Sequence, residues 1–213
     1  EGLIQNFPKA SPAALAEAHF LLGRAAFDQG DFKSSISHMA EAKTLDPQKY
    51  GEQVNVLSVL SYHKLQDVNK LKEALETLQK ENPSAVARVP DVIPAWLGLQ
   101  AYGMKDLETA DKYMTWATQN DQLQNVKKVI WRNLAKVRLA LRKYDRALVA
   151  SNNFLKDEDQ PYRRADGMLD KASILLGLGK YADARKTAEE ALALGVEGPL
   201  TVSYTHLRAH ETT

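Results

Sequence analysis

Apolar residues along this chain fall at helical spacing, and nowhere do they alternate with period two over a useful length, so helices are predicted throughout and strands nowhere. The apolar runs are broken at regular intervals by polar or glycine residues followed by a large side chain. These breaks read Gln29-Gly30-Asp31-Phe32, Gln66-Asp67-Val68, Lys105-Asp106-Leu107, Arg142-Lys143-Tyr144 and Gly179-Lys180-Tyr181. Each is expected to be a tight turn that ends one helix and returns a bulky residue to the core. The longest irregular stretch is Asn82 to Pro94, where Pro83, Pro90 and Pro94 withhold donors that a continuous helix needs. It is expected to bend the chain, with Asp91 placed to cap the helix that follows.

The turns belong to a longer recurrence. Counted from Ala16, Leu22 and Gly23 stand at positions 7 and 8, Ala42 at 27 and Pro47 at 32. Counting from Glu52 places Tyr62, Leu71, Leu78 and Pro83 at 11, 20, 27 and 32, with Val59 where the small residue stood. Asp91 starts a third copy with Leu97, Gly98, Ala101, Ala110 and Ala117 at 7, 8, 11, 20 and 27. Lys128 starts a fourth, with Trp131 at 4, Leu134 and Ala135 at 7 and 8, and Ala147 at 20. Ala165 starts a fifth, with Ala172, Gly179, Ala184 and Ala191 at 8, 15, 20 and 27. A helix pair of this length can bury its apolar face only against its neighbours, which makes a stacked array the natural architecture.

This pattern resembles the tetratricopeptide repeat. The resemblance covers residues 16 to 198 and implies an all-α fold, a right-handed superhelical solenoid of about five irregular helix pairs. Small residues then sit where the two helices of a pair cross, and large ones fill the space to the next pair. The chain departs from the family in spacing: its units start 36, 39, 37 and 37 residues apart, against about 34 in the family. His19, Asn55, Pro94 and Met168 occupy the position-4 slot, and only the first two units keep the proline. Longer helices or loops and an irregular array are expected. Residues 1–15 read as the end of a preceding unit or a capping segment.

Composition adds little that is specific: 44% hydrophobic, 26% charged and a net charge of +1 fit a globular chain, and no apolar run is long enough to span a membrane. With no cysteine there can be no disulfide or thiolate metal site. Residues 199–213 break the repeat phase, and Val202 to Thr212 looks like the translation of a sequencing-library adapter, which implies a truncated gene. That segment contains the most tempting chemical motif, His206 and His210 four apart beside Glu211, a zinc-like spacing that lacks a third ligand and a packed second shell. His19, His38 and His63 fall on separate predicted helices and read as packing or surface residues.

Nothing else points to catalysis. There is no cysteine nucleophile, no glycine-rich loop after a strand and no nucleophile elbow, and the run Asp157-Glu158-Asp159 reads as solvated like charges. No enzyme activity, cofactor or metal is expected. The function implied by the resemblance is a protein-interaction scaffold that binds a protein or peptide partner through the inner face of the array. The alternative is a regulatory or sensor domain of a longer enzyme or transcription regulator.

In tetratricopeptide arrays the first helix of each unit lines the groove, and the matching positions here include Phe20, Arg24, Leu60, Trp96, Tyr102, Arg132, Asn133 and Lys136. Aromatic and arginine side chains are common interface anchors, although packing against a neighbouring unit explains Trp96 and Tyr102 equally. Lys127, Lys128, Arg132, Lys136, Arg138, Arg142, Lys143 and Arg146 are set against one local acid, Asp145, and the 128, 132, 136 spacing stacks three cations on one stripe. Such a stripe suits an acidic peptide; a solvated face, or one neutralised by the Asp157–Asp159 loop, stays open beside it. Nucleic acid is not expected from a near-neutral chain without interleaved aromatics.

The carboxylate clamp of chaperone-binding relatives is absent from the first three units, whose slots hold Phe20, Arg24, Leu57, Val92 and Trp96. Finally, Asn6-Phe7-Pro8-Lys9-Ala10-Ser11-Pro12 leading into Ala16 is similar to the lead-in of repeats in bacterial envelope proteins. It implies a periplasmic or envelope-associated location, with the cytoplasm as the alternative.

Overall fold

A computed structural model describes residues 11–119, 124–156 and 158–195. The lead-in up to Ala10, Asp157 and the tail carrying His206, His210 and Glu211 lie outside the described residues. Those described form ten α-helices and one 3-10 turn, with no strand among them. The chain divides into two compact units at Ile93 and Pro94.

The first unit contains α1 (Pro12–Asp28), α2 (Phe32–Leu45), α3 (Pro47–Lys64) and α4 (Val68–Glu81), each packed on the one before it, then a 3-10 turn at Pro83–Arg88. Ser11 caps α1 by accepting from the Ala14 amide at 3.3 Å, ahead of Pro12, whose missing donor costs nothing in a first turn. Asp31, Asp46 and Asp67 cap α2, α3 and α4 in the same way, accepting from the amides of Ser34, Lys49 and Lys70 at 3.1, 3.1 and 3.0 Å. Because Pro47 opens α3, that helix starts a full turn before Glu52. The core gathers Ala16, Met39, Ala42, Tyr50, Val54 and Leu57, and Leu71, Leu75 and Leu78 bury the inner face of α4.

The second unit holds α5 (Val92–Gly103), whose first two residues precede the division, then α6 (Leu107–Thr118), α7 (Gln124–Ala140), α8 (Tyr144–Lys156), α9 (Pro161–Gly177) and α10 (Tyr181–Ala193). One core cluster runs from Ala95 on α5 to Ile174 on α9; a second joins Phe154 and Leu155 to Met168, Ala188 and Ala191, and Trp131 packs against both. The stretch from Asn82 to Pro94 is more ordered than its prolines suggest. Pro83 starts the 3-10 turn, and Pro94 lies within the first turn of α5, where a proline is tolerated.

Five turns share one geometry. Gly30, Gln66, Lys105, Arg142 and Gly179 all have left-handed backbones, with φ of 84, 56, 63, 57 and 72°. In every case the next amide reaches back six residues inclusive: Asp31 to the Ala26 carbonyl, Asp67 to Tyr62, Asp106 to Ala101, Lys143 to Arg138 and Lys180 to Leu175, at 2.8 to 3.1 Å. This is the Schellman ending of a helix, which satisfies carbonyls the last turn would leave bare.

Helix crossings are close where the small residues stand. A methyl group on Gly23 would lie 3.0 Å from Met39 Cγ, and one on Gly98 would lie 2.7 Å from Met114 Cγ and 2.9 Å from its backbone nitrogen. Met39 and Met114 occupy the same place in their repeats, so a bulky flexible side chain is accommodated by removing its opposite number.

Candidate partner-binding surface

The groove positions have different fates in the two units. In the first, Phe20 stacks on Tyr50 with ring centroids 4.7 Å apart and joins the core with Leu60, so neither is a free anchor. Arg24 is exposed and pairs within its own helix with Asp28 at 3.4 Å. In the second, Trp96 is half-buried, and Tyr102 is half-buried against the larger core cluster.

The cationic stripe is not a free basic surface. Arg132 pairs with Asp166, and Lys136 lies 3.7 Å from Asp166 and 3.4 Å from Asp170, linking α7 to α9. Burial pushes the Asp170 carboxyl up from its ordinary range, against the opposing pull of Lys136 and Arg132. Arg138 is buried: its Nε donates to Asp111 Oδ1 at 2.8 Å, and its other nitrogens donate to Thr115 Oγ1 and the Arg146 carbonyl. Lys143 donates to Glu108 at 2.8 Å and to Asp111 Oδ2 at 3.0 Å. Burial alone would raise the Asp111 carboxyl, but the hydrogen bonds from Arg138 and Lys143 outweigh it and hold it below its usual range.

Four of the eight cations counted over 127–146 are therefore tied to acids outside that window. The available signal was the i, i+4 spacing of Asp166 and Asp170, which repeats that of Arg132 and Lys136 one unit later.

Beside this ladder lies a cavity of about 140 Å³ lined by Lys128, Val129, Arg132, Asn133, Phe154, Glu158 and Arg163. Asn133 donates to the Val129 carbonyl at 3.0 Å, and the Arg132 guanidinium sits 6.0 Å from the Phe154 ring centre. Glu158 is 4% exposed, which overturns its reading as part of a solvated carboxylate run: it is folded under the start of α9, where one carboxylate oxygen accepts from the Gln160 amide. Its other oxygen has no hydrogen-bond partner. Val129 and Tyr162, near the starts of α7 and α9, remain 46% and 47% exposed. The region thus offers paired charges, a buried acceptor and unburied apolar side chains. It does not offer a nucleophile held by a base.

Two stretches match models of the tetratricopeptide repeat, residues 16–49 and residues 132–199. The chain is a tetratricopeptide repeat protein. Known tetratricopeptide repeat folds are typically non-catalytic interaction scaffolds. No curated protein sequence matches it. Among solved structures, the chain is similar to the MamA protein at 16% identity and TM-score 0.47, covering 84% of this chain and 91% of that one. Pseudomonas aeruginosa PilF gives 18% identity and TM-score 0.44 over 89% and 80%. BtubC from P. vanneervenii gives 18% and 0.44 over 86% and 80%. Within the repeat array, no helix among the described residues is long and apolar enough to cross a membrane.

Proposed function

We propose that this tetratricopeptide repeat protein is a scaffold that takes a protein or peptide partner on the first-helix face of its second unit, in bacterial envelope assembly. The observation that carries the reading is the exposure of Val129 at the Glu158 cavity, with Tyr162 exposed at the start of α9, since apolar side chains next to unsatisfied polar groups are what a partner covers. The envelope assignment rests on the Phe7-Pro8-Lys9-Ala10-Ser11-Pro12 lead-in, and a periplasmic location goes with it. The internal pairing of Arg132 and Lys136 favours a partner with a mixed or apolar contact segment over a strongly acidic one.

The test is cross-linking in intact cells with a photoreactive residue placed at Val129 or, as a control, at exposed Lys33. A discrete adduct from Val129 alone, with the adduct in the periplasmic fraction, is the expected result. Equal or absent adducts from the two positions would reject the surface, and a cytoplasmic adduct would reject the location.

A further inference from the structure

We propose that His19 and His38 form a binding site for a late first-row divalent cation of the Zn²⁺, Ni²⁺ or Cu²⁺ class, clasping α1 to α2 within the first helix hairpin. The two residues are nineteen apart in the chain, and their Nδ1 atoms face each other at 3.1 Å. Their rings are tilted at 42° with centroids 5.3 Å apart, so the nitrogens meet edge to edge while the rings do not stack. Two imidazole nitrogens that each hold zinc at 2.0 to 2.1 Å in a tetrahedron lie about 3.3 Å apart; in an octahedral site of similar bond length, adjacent ligands are about 3.0 Å apart. The observed spacing falls between these, so the pair already has the separation of two ligands on one cation.

The metal-free pair explains how the geometry persists. One neutral ring donates its Nδ1 proton to the other, and both hydrogen-bonding groups are satisfied. Cation binding moves that proton to Nε2 of the same ring, leaving both Nδ1 lone pairs on the metal with no net proton released from the neutral pair. Burial, together with the neighbouring His38, lowers the pKa of His19. Glu41, one turn beyond His38, places a negative charge close enough to oppose that lowering, and the same charge attracts a cation.

Both histidines are part-buried, so solvent reaches the remaining coordination positions. No group of three or more histidine, aspartate or glutamate side chains that could hold a metal occurs among the described residues. Water completes the shell, and binding is exchangeable, unlike that of a closed structural zinc site. The physical consequence is linkage: a cation held only by the folded hairpin stabilises it in proportion to the logarithm of its concentration.

The test is isothermal titration of the full chain with Zn²⁺ and Ni²⁺, with Mg²⁺ as control, in a background in which His206→Ala and His210→Ala silence the tail pair. One cation per chain, saturating below millimolar cation, is expected, with no Mg²⁺ binding and a loss of at least about tenfold on either His19→Ala or His38→Ala. Absence of saturable binding up to millimolar cation, or undiminished binding with both histidines replaced, overturns the site. Should a variant misfold, histidine ring resonances of the parent chain decide: shifts confined to His19 and His38 sustain the proposal, and shifts at His63 instead overturn it.

Discussion

The units on either side of Pro94 fill the same repeat slot in opposite ways. Position 4 holds polar side chains in the first, His19 and Asn55, and apolar ones in the second, Pro94, Trp131 and Met168. Both polar residues are satisfied across helices. His19 meets His38, while Asn55 accepts from Lys43 at 2.8 Å and donates to Glu81 and Asn82 at 2.9 and 2.7 Å. In the second unit Trp131 instead seals two core clusters, and the charges stand apart as the Asp111–Arg138 network and the ladder between α7 and α9. A slot between repeats thus tolerates a polar side chain when its hydrogen bonds are complete, because the cost lies in the unpaired group and not in polarity itself.

Breaking the buried charge network should cost the second unit most. Replacing Asp111 with alanine leaves Arg138 buried without its carboxylate, and a loss of about 3–5 kcal/mol is expected in a denaturant titration. A loss below 1 kcal/mol would show that water already screens the pair. In the first unit, Asn55→Ala removes three hydrogen bonds but leaves Lys43 and Glu81 paired at 2.7 Å. About 1–3 kcal/mol is therefore expected, and an unchanged midpoint would undo the argument about complete networks.

Smaller effects separate the turns. Gly30 and Gly179 adopt the left-handed backbone freely, but Lys105 adopts it at φ 63° with a Cβ to accommodate. Lys105→Gly should raise stability by about 0.5–1 kcal/mol, whereas Gly30→Ala should lower it by a similar amount.

The mildest contrast is in pH. His19 has a depressed pKa in the folded state, so its contribution is present above the ordinary histidine range and is lost as pH falls through the folded value. Asp111 is a depressed carboxylate, lost only at much lower pH, and Asp170 is raised, so its contribution is greatest in acid and lost as pH rises. Acidification from pH 7.5 to 5.5 should therefore weaken the first unit before the second. All three tryptophans, Trp96, Trp116 and Trp131, lie in the second unit. Far-UV ellipticity should accordingly melt at lower temperature than tryptophan fluorescence at pH 5.5, with a smaller gap at pH 7.5; coincident curves at both would reject the assignment.

Much of the fold could be read before any coordinate. The turn at Gln29-Gly30-Asp31 and its four counterparts carry their own chemistry, a left-handed residue and in three cases a capping aspartate (Asp31, Asp67 and Asp106), and such local preferences are visible in a window of four residues. The small residues Gly23 and Gly98 were legible for a similar reason, since the recurrence marks where helices cross. The candidate surface was much less legible. Arg132 and Lys136 looked like an unopposed stripe because their partners stand about thirty residues away, and Phe20 looked like an anchor because the pattern cannot show Tyr50 stacked upon it.

Helix type and turn placement were determined by the sequence alone, because each depends on contacts three to five residues apart, and the repeat phase was legible because small residues recur where helices cross. The tertiary structure decided which polar groups are free. It brought His19 to His38, tied Asp111 to Arg138 and buried Glu158, because the energy of a charge or a proton depends on what lies within a few ångströms in space, whatever its distance along the chain.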